Sequence, residues 1–177
     1  MSSVSALVAR MKYLCFSEAV IAVIALAVLP GYWLSTSTHV DWYVRTPPLL
    51  LVCFILAQGA LYWALKYRQY AHNVALPLWL PSLFRFFRWS NVVGFAVLAV
   101  ALALAAWHGA AATDLAWGAG LWVFAALEQI NYYHLQLMYD TRGALRRLRQ
   151  TRRLRTPMLA NDIRSAGPVS RVPGQLA

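Results

Sequence analysis

Residues 92–107 read VVGFAVLAVALALAAW, a run without one polar side chain. A bilayer presents about 30 Å of hydrocarbon, which a helix crosses with about 20 apolar residues. The run reaches that length when it is extended upstream, and it therefore predicts a transmembrane helix over residues 88–107. Three further apolar runs lie at residues 13–34, 47–66 and 115–139.

The composition of the whole chain agrees with a membrane protein. Of its 177 residues, 60% are hydrophobic and 12% are charged, whereas a typical soluble domain has about half apolar and about a quarter charged residues. An ordinary water-soluble globule is therefore excluded. We expect an all-α, polytopic integral membrane protein in which residues 1–140 form a four-transmembrane-helix bundle.

The first apolar run has a second interpretation, as a cleaved signal peptide, because Arg10 and Lys12 precede it and small residues at 25–27 resemble a cleavage site. Glu18 interrupts the apolar region and the run continues past residue 27, which favours a membrane span.

Two other stretches bear on where the helices begin. Pro47 and Pro48 favour a helix start at residue 47, because the first turn of a helix leaves unused the donor that proline lacks. Residues 82–89 carry Arg85 and Arg88 at helical spacing. They predict either a short helix in the headgroup layer or the cytoplasmic extension of the third span.

The basic residues predict the orientation of the bundle. With a cytoplasmic N-terminus, fifteen of the sixteen basic residues lie on the cytoplasmic side, and Arg45 alone lies outside with Asp41 and Asp114 in the outer loops. Both termini are then cytoplasmic, and small size with arginine in preference to lysine suggests a bacterial inner membrane. The tryptophans expected to form an aromatic belt at the outer boundary are Trp33, Trp107 and Trp117.

Two carboxylic acids, Glu18 and Glu128, lie within the apolar spans. A charged group at the middle of a membrane helix costs roughly 2.5–3.5 kcal/mol, so such a residue should face protein or water and have a partner. Counting depth along each helix predicts a pair of Glu128 with Gln58 near the midplane. The same count predicts Glu18 beside His134 or Tyr62.

The second half of the fourth span, EQINYYHLQLMYD, is unusually polar. Its polar residues follow two neighbouring stripes at three-to-four spacing, and a helix this polar cannot face lipid there. The predicted intramembrane polar network or ion site comprises Glu18, Gln58, Tyr62, Glu128, Asn131, Tyr132 and His134.

The chain ends in a strongly basic segment. Residues 141–155 predict a cytoplasmic helix, and residues 156–177, rich in proline and glycine, predict a disordered tail. Arginines near an anionic leaflet favour binding to its lipids, and no interleaved aromatics are present for stacking on nucleic-acid bases. The arginines expected to contact anionic lipid are Arg142, Arg146, Arg147, Arg149, Arg152, Arg153 and Arg155.

No sequence motif points to a catalytic residue, a metal ligand or a cofactor. The leading hypothesis is a small non-enzymatic membrane protein, a structural or accessory subunit whose polar fourth helix and basic tail contact other helices, a partner or anionic lipids. The partner is a membrane protein or a second copy of the chain. Two alternatives remain open: a proton- or cation-coupled transporter using Glu128 and Glu18, and a membrane enzyme acting on a lipid at the cytoplasmic face.

Overall fold

A computed structural model of the protein describes residues 2–135, 137 and 156–165. In this part of the chain every regular element is a helix, which confirms the all-α class. The five helices are α1 (Ser2–Thr36), α2 (Trp42–His72), α3 (Leu80–Trp107), α4 (Ala112–Tyr133) and α5 (Met158–Ser165).

Three of these helices, α1, α2 and α3, are long and apolar enough to cross a membrane. The fourth predicted span falls on α4, a helix of 22 residues, whose crossing of a membrane stays a prediction. The Arg-rich segment at 141–155 lies outside the described residues.

The second helix begins earlier than the prolines predicted. Asp41 caps it, since its side chain accepts a hydrogen bond of 3.0 Å from the backbone N–H of Tyr43. Because this cap fixes the first turn, Pro47 and Pro48 lie inside the helix rather than at its start. Pro48 lacks the N–H that would bond to the carbonyl oxygen of Val44, four residues earlier.

The third helix is continuous from Leu80, so residues 82–89 extend the third span rather than form a separate helix. Leu80, Phe84 and Asn91 are its buried residues. The apolar residues that follow, from Val92 to Trp107, lie mainly on the outside of the bundle. This half of α3 is therefore suited to contact hydrocarbon.

The second helix is central to the bundle, packing against α1, α4 and α3. Its core residues Leu49, Val52 and Ile55 are at most 2% exposed. Close approach to α4 depends on Gly118, where an added Cβ would lie less than 3.0 Å from the Val44 carbonyl oxygen. The carbonyl left without a helical partner by Pro48 thus lies directly against α4.

The two ends of the bundle differ. Arg45 near the start of α2 pairs with Asp114 near the start of α4, so these helices run in the same direction; we call this the ion-pair end. At the other end, which we call the cavity end, α5 packs against α3 and α4.

The fourth helix ends at Tyr133, before the predicted limit at residue 139. The chain leaves the helix there because the backbone N–H of Leu137 donates to the Asn131 side-chain oxygen at 2.9 Å, and that of Leu135 donates to the Ile130 carbonyl. The rest of the predicted span, from residue 138, is outside the described residues.

Within residues 156–177, for which the sequence predicts a disordered tail, the structure has the helix α5. Leu159 and Ala160 are buried, and Ile163 packs against the core. These residues follow helical spacing, and so give the short segment an apolar face that the average composition of the tail conceals.

Candidate functional site

Glu18 lies on α1 at the cavity end, and its residue is 8% exposed. The hydroxyl group of Tyr132, on α4, donates a hydrogen bond to the Glu18 carboxylate. The contact needs the glycine at position 59 of α2, since a Cβ on Gly59 would lie less than 3.0 Å from the Tyr132 ring and hydroxyl group. Tyr132 therefore reaches Glu18 across a gap in the side chains of α2.

The expected pair of Glu128 and Gln58 does not form. Gln58 exchanges two hydrogen bonds of 3.0 Å with Asn91 of α3 and accepts a third, of 2.8 Å, from the Tyr133 hydroxyl group. Asn91 also donates to Gln129 at 2.8 Å. These four buried, uncharged side chains form what we call the amide network.

The amide network and the Glu18 contact use different faces of α4. Gln129 and Tyr133 point to Asn91 and Gln58, whereas Tyr132 points to Glu18. Over residues 128–133, the part of the two predicted stripes that lies in α4, each stripe therefore faces a different set of neighbours.

Glu128 is half-buried. Asn131 hydrogen-bonds its side chain, while its second carboxylate oxygen is buried without a hydrogen-bond partner. Its charge is close enough to act on both Glu18 and Tyr132. Two carboxylates thus share one region of the bundle.

Neither partner predicted for Glu18 contacts it. The Tyr62 hydroxyl group donates to Asp162 of α5 at 2.8 Å, and Lys66 forms an ion pair with the same carboxylate at 3.0 Å. His134 lies beyond the end of α4. Partial burial, and then the positive charges of Arg88 and Arg164, lower the pKa of His134, which leaves its ring neutral at pH 7.

A cavity of about 350 Å³ lies at this end, between α1, α2, α4 and α5. Its size falls within the range of about 300–1,000 Å³ that ligand pockets occupy. The polar side chains that line it are Arg10, Glu18, Tyr62, Asn131, Tyr132, Thr156 and Asn161. Its apolar walls include Met11, Leu14, Trp63, Met158 and Leu159. The cavity therefore combines a carboxylate with aromatic and aliphatic surface.

The structure brings together Glu18, Tyr62, Asn131 and Tyr132 from the predicted set around this cavity. Gln58 belongs to the amide network instead, and the seven arginines expected to contact lipid lie outside the described residues. Sequence reasoning missed Asp162. It is the only acidic residue after Asp140, within a basic tail, and that isolation was the signal available.

Sequence reasoning also missed the ion pair at the opposite end. Arg45 Nε lies 2.5 Å from Asp114 Oδ1, and both side chains are at most 2% exposed. The guanidinium group lies over the ring of Trp33, 5.5 Å from its centroid. Trp33 is itself fully buried, so it is not part of a lipid-facing belt. The available signal was that Arg45 is the one basic residue on its predicted side.

No protein-family model matches the chain, and no curated protein and no solved structure matches it. Within the described residues, no group of three or more His, Cys, Asp or Glu side chains could hold a metal ion.

Proposed function

We propose that this chain is a non-enzymatic integral membrane protein that acts by binding a ligand in the cavity beneath α5, as an accessory subunit rather than as a conductor. The observation that carries the proposal is the difference between the two ends. The cavity end holds a cavity of about 350 Å³ with Glu18 in its wall. At the ion-pair end Arg45 and Asp114 are buried against each other, and a cavity of about 320 Å³ between α2 and α3 has mainly apolar walls.

The packing between the two ends of the bundle argues against the transporter hypothesis. Between the two ends, α2 contributes Leu49, Val52 and Ile55 to a packed core. Beyond them lie Trp33, Arg45 and Asp114, all at most 1% exposed. A solute in the cavity meets these groups, so the packing supports binding in preference to passage through the bundle.

We propose further that α4 is a fourth membrane span and that both termini face the cytoplasm of a bacterium. The polar groups of α4 that bear on this, Gln129, Tyr132 and Tyr133, are buried and hydrogen-bonded inside the bundle. Internal bonding lowers the cost of carrying such groups through hydrocarbon. Among the described residues, basic side chains concentrate in the halves of α1, α2 and α3 nearer the cavity end, which supports its cytoplasmic location. These residues are Arg10, Lys12, Lys66, Arg68, Arg85 and Arg88.

Labelling of single cysteines tests this orientation. In a background with Cys15→Ala and Cys53→Ala, a membrane-impermeant maleimide added to intact spheroplasts should label Ser35→Cys, at the ion-pair end. It should label Arg68→Cys, at the cavity end, only after the membrane is broken. The opposite pattern would reverse the orientation, and labelling of both positions in intact spheroplasts would contradict a single topology.

Native mass spectrometry of the gently extracted protein tests the binding function. Leu14 lines the cavity, so Leu14→Trp should fill it and remove a co-purified small molecule or lipid that the wild type retains. Ile24→Trp is the matched control, because Ile24 is on the outer surface of the same helix and 52% exposed. Retention that is equal in all three proteins, or absent from all three, would contradict the proposal.

A further inference from the structure

We infer that the cavity beneath α5 takes a lipophilic organic cation, whose positively charged nitrogen lies beside Glu18 and whose apolar body lies against the aromatic and aliphatic walls. The inference rests on the binding function proposed above and adds the chemical class of the ligand.

The charges around the cavity give the first argument. Glu18 is in its wall, and the Glu128 carboxyl group is near it. Among the described residues the ion pairs are those of Arg45 with Asp114 and of Lys66 with Asp162. Neither glutamate is in an ion pair there, and an ionised carboxylate out of water is costly without a positive partner. A bound cation supplies that partner.

The nearby basic groups do not take that place. Arg10 also lines the cavity, but it precedes Glu18 by eight residues, which corresponds to about 12 Å along a helix. Lys66 pairs with Asp162, and His134 is neutral at pH 7 because its pKa is lowered.

The walls decide what kind of cation fits. Tyr62, Trp63 and Tyr132 line the cavity, and the rings of Tyr62 and Trp63 meet edge to face with centroids 5.1 Å apart. Aromatic rings attract cations that have little hydration to lose, and they are used widely to bind quaternary ammonium groups. Met11 and Leu14 add aliphatic surface. The aromatic and aliphatic surface favours an organic cation over a small inorganic one, which prefers a full shell of oxygen ligands.

Two probes of the same shape and size isolate the effect of the ligand's charge on binding. Phenyltrimethylammonium and tert-butylbenzene differ only in a positively charged nitrogen in place of a carbon. Equilibrium dialysis measures the binding of each to the full chain in non-ionic micelles. Subtracting the value for Leu14→Trp removes partition into the micelle, since the filled cavity leaves only that background.

We expect phenyltrimethylammonium to bind the wild type saturably, and Glu18→Gln to weaken this binding by about tenfold or more, as loss of a desolvated charge contact implies. Glu128→Gln should weaken it in the same direction. Asp41→Asn is the matched control: it removes a carboxylate at the ion-pair end while asparagine keeps the helix cap, and binding should not change. A thermal unfolding curve for each variant establishes that it is folded.

The other outcomes are distinguishable. If tert-butylbenzene binds the wild type as tightly as the cation does, and Leu14→Trp abolishes both, the cavity is a neutral site and the inference is wrong while the binding function stands. If phenyltrimethylammonium binds Glu18→Gln and Glu128→Gln as tightly as the wild type, the carboxylates do not select the ligand. If Leu14→Trp changes neither probe, the proposed function fails as well.

Discussion

Asp114 and Glu18 are both carboxylates removed from the surface of the bundle, yet their surroundings differ at every point. Asp114 has an arginine at 2.5 Å, and both side chains are at most 2% exposed. Glu18 has a neutral tyrosine as its hydrogen-bond donor and lies in the wall of a cavity. The first arrangement holds helices together, and the second is the one that we propose binds a ligand.

The largest expected effect comes from breaking the ion pair. Arg45→Met leaves Asp114 buried without a positive partner, and we expect a loss of about 3–5 kcal/mol in the free energy of unfolding. Unfolding in mixed micelles, followed by circular dichroism, measures it. The double variant Arg45→Met with Asp114→Leu should recover most of the loss. Arg68→Met, at an exposed position of α2, is the control and should change stability little.

The amide network tests whether hydrogen bonds between uncharged groups stabilise the bundle as much as the buried ion pair does. Asn91→Leu removes three hydrogen bonds, to Gln58 and Gln129. At about 0.6 kcal/mol for each bond in a membrane protein, we expect a loss of about 2 kcal/mol. The same unfolding assay measures it. A loss as large as that of Arg45→Met would remove the distinction between the charged and the uncharged contact.

A smaller effect is expected at the gap that admits Tyr132. Gly59→Ala places a Cβ against the tyrosine ring, and we expect a loss of about 1 kcal/mol, the lower end of the range for overpacking, because the end of a side chain can shift. Unfolding in micelles gives the loss of stability. Gly31→Ala is the control, since no atom lies within 4 Å of a Cβ there. If Gly59→Ala costs no more than Gly31→Ala, Tyr132 does not depend on the gap.

The smallest effect is expected from Tyr132→Phe, which removes the hydrogen bond to Glu18 and little else. We expect a loss of about 0.6 kcal/mol, because the carboxylate also faces the cavity and can be solvated there. Thermal unfolding of the variant beside the wild type measures this. A loss near that of Arg45→Met would mean that Glu18 is as isolated from solvent as Asp114, and the comparison between the two ends would fail.

Apolar runs predicted the three long helices because length and hydropathy are properties of a segment by itself. The pairing of polar residues was harder. Counting residues from a membrane boundary gives depth but not direction around the helix axis, which is why Gln58 was assigned to Glu128 although it faces Asn91. The two polar stripes of α4 are predictable for the same reason as the apolar runs, since each pattern depends only on residues within one segment.

Contacts between distant segments were not available from the sequence. The pair of Arg45 and Asp114 joins residues that each look like part of a solvated loop, and only the packing of α2 on α4 brings them together. Likewise, Asp162 becomes informative only when α5 is found against Tyr62 and Lys66. A short helix in a polar tail gains its stability from such contacts rather than from its own propensity.

The attachment of α5 has a topological consequence for the arginines that precede it. Because α4 ends at Tyr133 and α5 is bonded to α2 through Asp162, the described segments on either side of these arginines are both anchored at the same end of the bundle. An extended chain spans at most about 3.3–3.6 Å per residue, so a doubly tethered loop can reach only half as far as a free tail of equal length. A molecule held by those arginines is confined near the cavity, at a raised effective concentration.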